Sequence, residues 1–245
     1  GASRRARDNL RLAFPGIGDD EVERIVAGMW DNLGRVVGEF PHLKRLSRER
    51  VEVVGTEHLL AVRDDGRPGL LFSAHLGNWE VLAGCASLLD LPLALVYRAA
   101  NNPHVERLYR EGRSDLGGEY LPKGAEGARG ALSALRAGRH LGMLVDQKMN
   151  DGIAVPFFGR PAMTAPALAQ FALRLRCPVL PAHVERLEGA RFRIVVEPPL
   201  ALPDSGDRKA DALDLMTTVN ARLESWIRER PEQWLWLHRR WPSCP

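Results

Sequence analysis

Among side chains able to move a proton, the most informative order is Leu70-Leu71-Phe72-Ser73-Ala74-His75-Leu76-Gly77-Asn78-Trp79-Glu80. An apolar run that reads as a strand passes straight into a histidine, then a glycine and an asparagine, then the start of a helix. In open α/β sheets, ligands bind beyond the carboxyl ends of the strands, which is where His75 falls. Gly77 permits a tight turn with positive φ, and Glu80 lies in the first helical turn. A turn of this length lets the carboxylate fold back and hold one ring nitrogen as an N–H donor. The other ring nitrogen is then free to take a proton. No nucleophile accompanies the pair. The chain has no Gly-x-Ser-x-Gly, no His-Glu-x-x-His, no phosphate-binding P-loop and no Gly-x-Gly-x-x-Gly. A base without a protein nucleophile must activate a substrate group, a hydroxyl or water. The competing reading is that His75 is a structural hydrogen-bonder.

The elements that must position these residues follow from hydrophobic spacing. Between residues 19 and 40, Val22, Ile25, Val26, Met29, Trp30, Leu33, Val36, Val37 and Phe40 recur at helical intervals. Asp19 or Asp20 supplies a cap and Pro41 a stop. Before this helix, Leu10, Leu12 and Phe14 lead into a Pro15-Gly16 turn. After residue 50 the pattern becomes short apolar runs alternating with helical stretches. Strands are expected at 51–54, 69–74, 91–97, 141–145, 179–184 and 192–196. Helices are expected at 56–62, 79–89, 103–113, 127–137, 164–174 and 210–230. This alternation predicts an α/β fold with a mostly parallel central sheet flanked by helices. Residues 179–196 add an antiparallel hairpin. Residues 1–50 form an N-terminal helical segment, and 51–245 a single structural unit.

Composition excludes several classes. The 245 residues are 45% hydrophobic and 27% charged, unlike a disordered, collagen-like or mucin-like chain. A net charge of +3 is too small to argue for nucleic acid, and none is expected as a partner. The cationic clusters Arg4-Arg5-Arg7, Lys44-Arg45 with Arg48 and Arg50, and Arg239-Arg240 could meet phosphates, anionic headgroups or an acidic protein, or be solvated surface. No apolar stretch approaches the ~20 residues of a membrane span, and no signal peptide is visible. Cys85, Cys177 and Cys244 give neither a disulfide framework nor a zinc spacing, so a reducing compartment and no structural metal are expected. The opening Gly1-Ala2-Ser3, without a Met, reads as a truncated chain.

The segment His75-Leu76-Gly77-Asn78-Trp79-Glu80 resembles the His-x-x-x-x-Asp/Glu box of the glycerolipid acyltransferase superfamily. Its Gly-Asn-Trp-Glu form resembles the lipid A biosynthesis acyltransferases of Gram-negative bacteria, the lauroyl/myristoyl type. Further boxes agree in order: Val96-Tyr97-Arg98 with Asn102-Pro103, Gly112-Arg113, Leu144-Val145-Asp146-Gln147 and Val155-Pro156-Phe157-Phe158-Gly159. They are followed by Pro231-Glu232-Gln233-Trp234 and His238-Arg239-Arg240-Trp241. The resemblance runs from about Arg11 to Trp241. The Pro-Glu-Gly-Thr type box expected of glycerol-phosphate acyltransferases is absent.

This resemblance implies an O-acyltransferase moving a fatty acyl chain from an acyl carrier protein or acyl-CoA thioester to a hydroxyl of a lipid acceptor, here a lipid A precursor. His75 would be the general base and Glu80 its orienting group, with no metal and no cofactor. Arg113 matches an arginine used near the site, for acceptor phosphate or developing charge. Asp146 follows a buried strand and is a further site candidate. Arg98, at a strand end, is a candidate for phosphate. Asn78, suited to cap the helix at Trp79, completes the substrate-binding set. The resemblance also implies a membrane surface as partner, at the cytoplasmic face of the inner membrane, with an anchoring helix ahead of the segment that begins this chain. Two alternatives are a phosphatidylinositol mannoside-type acyltransferase using acyl-CoA and a catalytically idle lipid-binding module. The Gly- and Pro-rich stretch 146–164 reads as a lid or acyl-groove wall, or as core packing. Trp234 and Trp236 read as packed on the sheet, with Arg239 and Arg240 exposed for docking to the carrier protein or membrane.

Overall fold

A computed structural model of the chain describes residues 1–91, 93–97, 99–114 and 116–241. Three helices open it: α1 (Ala2–Ala13), α2 (Asp19–Glu39) and α3 (Leu43–Glu49). The cap of α2 is Gly18, and Asp19, Asp20 and Glu21 fill its first turn, where carboxylates complement the free N–H groups. α1 lies within the expected N-terminal helical segment, although no separate helix was read there. Ala6, Leu10 and Ala13 give it one buried stripe beside a strongly cationic face.

The α/β part follows as β1 (Val51–Val54), α4 (Thr56–Asp64), β2 (Leu70–Ser73), α5 (Val81–Leu88), β3 (Leu93–Tyr97) and α6 (Pro103–Ser114). Then come β4 (Glu119–Pro122), α7 (Ala125–Arg136), β5 (His140–Leu144), β6 (Lys148–Phe157), β7 (Arg160–Thr164) and α8 (Ala167–Leu175). The chain closes with β8 (Val179–Arg186), β9 (Phe192–Val196) and α9 (Arg208–Glu229). Among the described residues, seven strands form one sheet in the order β1-β9-β8-β2-β5-β3-β4, while β6 and β7 make a separate antiparallel pair. β8, β2, β5, β3 and β4 run parallel, β9 runs antiparallel to β8, and β1 runs parallel to β9. The mostly parallel sheet with a late antiparallel hairpin is as expected. The short strand β4 and the pair β6–β7 are additions.

Residues alternate across the sheet between two apolar layers, as the strand period requires. Leu70, Phe72, Ala94, Leu141 and Val179 face a layer containing α1, α2, α7, α8 and α9. Leu180, Ala182, Val184, Phe192 and Ile194 face one containing α3, α4 and α5. The stretch 146–164 divides between the two readings: Gln147, Met149 and Asp151 line a cavity, and the later part packs into the core. Val155, Phe157 and Phe158 are buried, and Phe157 stacks on Trp241 and meets Trp234 edge-on. Trp234 and Trp236 are buried, as expected. Arg240 is fully buried, contrary to expectation. It lies over the Phe157 ring and donates to Met163 O and Thr164 Oγ1, which ties the chain's end to β7. Arg239 is exposed.

Candidate active site

Strand register assembles the central pair. In the parallel pairing of β2 with β5, Ser73 stands opposite Leu144, and Val145 N donates to Ser73 O at 3.0 Å. Two residues further along each strand, His75 and Asp146 come side by side. Asp146 Oδ1 lies 2.8 Å from His75 Nδ1, and Asp146 Oδ2 accepts from His75 N at 3.0 Å and Trp234 Nε1 at 2.9 Å. Asp146 has no solvent exposure. Burial opposes its charge, but the charge of His75 and the donors from His75 and Trp234 outweigh that, and its carboxyl is held well below the usual range. For His75, burial opposes protonation. The charge and hydrogen bond of Asp146, helped by Glu80, outweigh it and raise the imidazole above its ordinary value.

A carboxylate can only accept, so Nδ1 of the neutral imidazole carries its hydrogen and Nε2 presents a lone pair. The Gln147 amide nitrogen lies 3.3 Å from that Nε2 and 3.4 Å from His238 Nε2. The Trp79 ring stands edge-on to His75 at 5.0 Å. His238 is held below its ordinary pKa by burial first and by the nearby His75 charge second.

The sequence expectation paired His75 with Glu80, and the structure replaces that partner with Asp146. Glu80 instead receives Arg113 Nε at 3.0 Å and Nη2 at 2.7 Å. A bidentate charged pair is stronger than a hydrogen bond to a neutral ring, and the turn through Gly77 directs Glu80 toward α6. Gly77 has φ +57°, and a Cβ there would meet Val184 O at 2.6 Å, so the turn needs glycine. Arg113 sits among the rings of Tyr109, Tyr120, Tyr97 and Phe40, 5.2 to 5.9 Å from their centroids. Asn78 is fully buried and does not line the cavity. Its Oδ1 accepts from Glu80 N and its Nδ2 donates to Glu39, so it shapes the turn rather than touching substrate. Asp146, expected at the substrate, stands behind the imidazole. Arg98 lies outside the described residues.

A cavity of about 840 Å³ opens at this edge of the sheet, lined by His75, Glu80, Arg113, Lys123 and Gln147 at its polar part. That is within the range of small-molecule sites. Its walls descend both faces of the sheet, past Leu71, Gly142 and Leu95 under α5, and past Phe72, Met143 and Phe171 toward α8. The Tyr120 hydroxyl is buried beside it without a partner among the described residues, and burial pushes its pKa up to about 12. Among the described residues, no group of three His, Cys, Asp or Glu side chains is arranged to hold a metal. No helix among them is long and apolar enough to cross a membrane.

The sequence reading gave no site role to Gln147 or His238, and read Trp234 only as packed on the sheet. Their signal was present in the Asp146-Gln147 dipeptide after a buried strand and in the Trp- and His-bearing tail. Nothing local in the sequence indicates that the tail returns to β2. It does so through backbone bonds: Gly77 N donates to Gln233 O, and Leu235 N to His75 O.

The sequence profile of a family described as bacterial lipid A biosynthesis acyltransferase matches residues 1–243. The chain is 27% identical to the lipid A biosynthesis lauroyltransferase of Escherichia coli (strain K12), over 97% of this chain and 78% of that protein. It is 25% identical to the lipid A biosynthesis palmitoleoyltransferase of the same strain, over 98% and 78%. It is 27% identical to the phosphatidylinositol mannoside acyltransferase of Mycolicibacterium smegmatis (strain ATCC 700084 / mc(2)155), over 79% and 63%.

Proposed function

Because the chain belongs to the bacterial lipid A biosynthesis acyltransferase family, we propose that it moves a fatty acyl chain from an acyl carrier protein thioester to a hydroxyl of a lipid A precursor, with His75 as general base. As a member of that family the protein is an acyltransferase of lipid A biosynthesis. The donor and the residue roles are the further step. The observation that carries it is an imidazole fixed through Nδ1 by a buried carboxylate at the mouth of a largely apolar cavity.

Asp146 holds the ring in the tautomer that leaves Nε2 basic and stabilises the imidazolium formed when the acceptor hydroxyl gives up its proton. The hydroxyl oxygen attacks the thioester carbonyl, the C–S bond breaks, and the imidazolium returns the proton to the leaving thiolate. The thioester is reactive enough that positioning, a base and stabilisation of the oxyanion suffice. The apolar arm under α5 takes the acyl chain. The Glu80–Arg113 pair, the Tyr120 hydroxyl and Lys123 offer polar contacts where the acceptor's headgroup enters. We further propose that the cavity mouth meets a lipid surface, at the cytoplasmic face of the inner membrane, a reading supported by the apolar lining that runs from the mouth into the sheet.

The test is mass spectrometry of the acceptor lipid after incubation with a defined acyl carrier protein donor, an acyl-CoA donor, or either donor with His75→Ala. Acyl addition from the carrier protein, lost by at least ~10²-fold in His75→Ala, is expected. Full turnover in the folded variant overturns the base assignment. The similarity to a phosphatidylinositol mannoside acyltransferase supports a second reading, and addition from acyl-CoA to a mannosylated phosphoinositide in the same assay favours it.

A further inference from the structure

Gln147 stands between two imidazoles. Its amide nitrogen reaches His75 Nε2 at 3.3 Å and His238 Nε2 at 3.4 Å, and the two rings are 5.7 Å apart. A primary amide nitrogen has two hydrogens to give and accepts nothing, so both ring nitrogens are acceptors here. On His75 this agrees with the tautomer that Asp146 imposes. The lone pair needed as base is therefore already engaged, and the group engaging it lies on the cavity wall. An acceptor hydroxyl cannot reach Nε2 without moving the amide aside. The second hydrogen bond, to His238, keeps the amide close when the first is broken.

We propose that Gln147 is a displaceable cap on the base: without acceptor its amide withholds His75 Nε2 from water, and once an acceptor hydroxyl takes that place the same N–H, still tethered to His238, donates to the oxyanion. This rests on the acyl-transfer reading and adds to it the group that separates transfer from hydrolysis. In the productive step the hydroxyl proton passes to His75 Nε2 as the oxygen bonds to the thioester carbon. The carbonyl oxygen takes up the electron pair and accepts from the Gln147 N–H. Collapse expels the thiolate, which recovers the proton from His75, leaving an ester and a free thiol. When water replaces the hydroxyl, the same sequence gives a fatty acid and the thiol.

The experiment follows both products from one acyl carrier protein thioester, with and without acceptor lipid, in Gln147→Met, which keeps the side-chain length and removes the donors. Both reactions lose the oxyanion donor, at a cost to transfer of about 10²-fold, but hydrolysis also gains an uncovered base, so the ratio of acceptor-independent hydrolysis to transfer is expected to rise several-fold. An unchanged ratio of hydrolysis to transfer overturns the proposal. If Gln147→Met does not fold, Gln147→Asn, whose shorter amide cannot span both nitrogens, is expected to raise the same ratio, and a native ratio there overturns the cap equally. His238→Ala is expected to lower transfer, and unchanged transfer overturns the tether. His75→Ala separates the two levels. Loss of both products in it, beside a native ratio in Gln147→Met, leaves the base standing without the cap, whereas retained transfer removes the base itself.

Discussion

Three donors converge on the Asp146 carboxylate: the ring and the backbone of His75, and the indole of Trp234. An amide in its place must turn an NH2 toward one of those donors, which disturbs the ring tautomer while conserving shape. Asp146→Asn is therefore expected to lower kcat by about 10³- to 10⁴-fold, the scale seen when a histidine's orienting carboxylate becomes an amide. Activity within tenfold of the native enzyme overturns the role. Glu80→Gln should behave differently. It strips the partner from an arginine enclosed by four rings, and breaking such a pair, with side chains 12% and 14% exposed, costs about 3–5 kcal/mol of stability in denaturant unfolding. The folded fraction should lose less activity than Asp146→Asn. The raised pKa of His75 fixes a further sign. The base works when neutral, and its partner favours the charged form, so the acid limb of kcat/KM should lie above pH 6.5. A limb below that value contradicts the Asp146 pairing. His75 was legible in the sequence because a strand, a glycine turn and a helix start are local signals. Its partner was not, because parallel register between strands 71 residues apart leaves no local trace.

Of the elements, the strand–helix alternation was legible throughout 51–64 and 179–229, where apolar runs are bounded by turn residues. The β6–β7 hairpin was not. Pro156 stands opposite Pro161 in its register, and prolines interrupt the alternating pattern by which a strand is recognised. Its turn sets Phe158 at φ +50° and Gly159 at φ +68°, a two-residue connection whose twist matches the strands. The tail 231–241 has little regular structure, yet it supplies Trp234 to the site by pairing that residue with Leu76. Trp234→Phe keeps an aromatic ring against Phe157 and deletes the indole N–H. It is expected to cost about 1.5–3 kcal/mol in equilibrium unfolding, the range for a hydrogen bond to a charged group, and to lower kcat more than it raises KM. A KM effect alone would place Trp234 with the substrate rather than with Asp146.

The whole molecule closes on itself around the site. Asn9 of α1 donates to Trp236 O and His238 O, and Asn32 of α2 donates to Gly77 O and Gln233 O. Arg186 of β8 ties Asn32 and Glu39 together. The N-terminal helices thus clamp the tail onto the turn that carries His75, and their bonds to the tail join residues more than 200 positions apart, which no sequence window reveals. What remains open between these layers is the cavity, and one missing side chain accounts for part of it. Gly142 pairs with Leu71 on one side and Leu95 on the other, so the row crossing the sheet under α5 has a gap at its centre. A Cβ there would lie 2.7 Å from Leu95 Cδ2 and 3.5 Å from Leu93 Cδ2, both flexible ends that can yield. Gly142→Val therefore narrows this arm without breaking a strand pairing. If the donor's acyl chain lies under α5, the variant should keep its activity with short chains and lose it with long ones. Two excluded methylenes, at about 0.8 kcal/mol each, change the long-to-short product ratio by roughly tenfold. Competition between acyl carrier protein donors of different chain length, read by mass spectrometry of the product, measures that ratio. An unchanged ratio would put the acyl chain in the other arm, against Phe171 and α8.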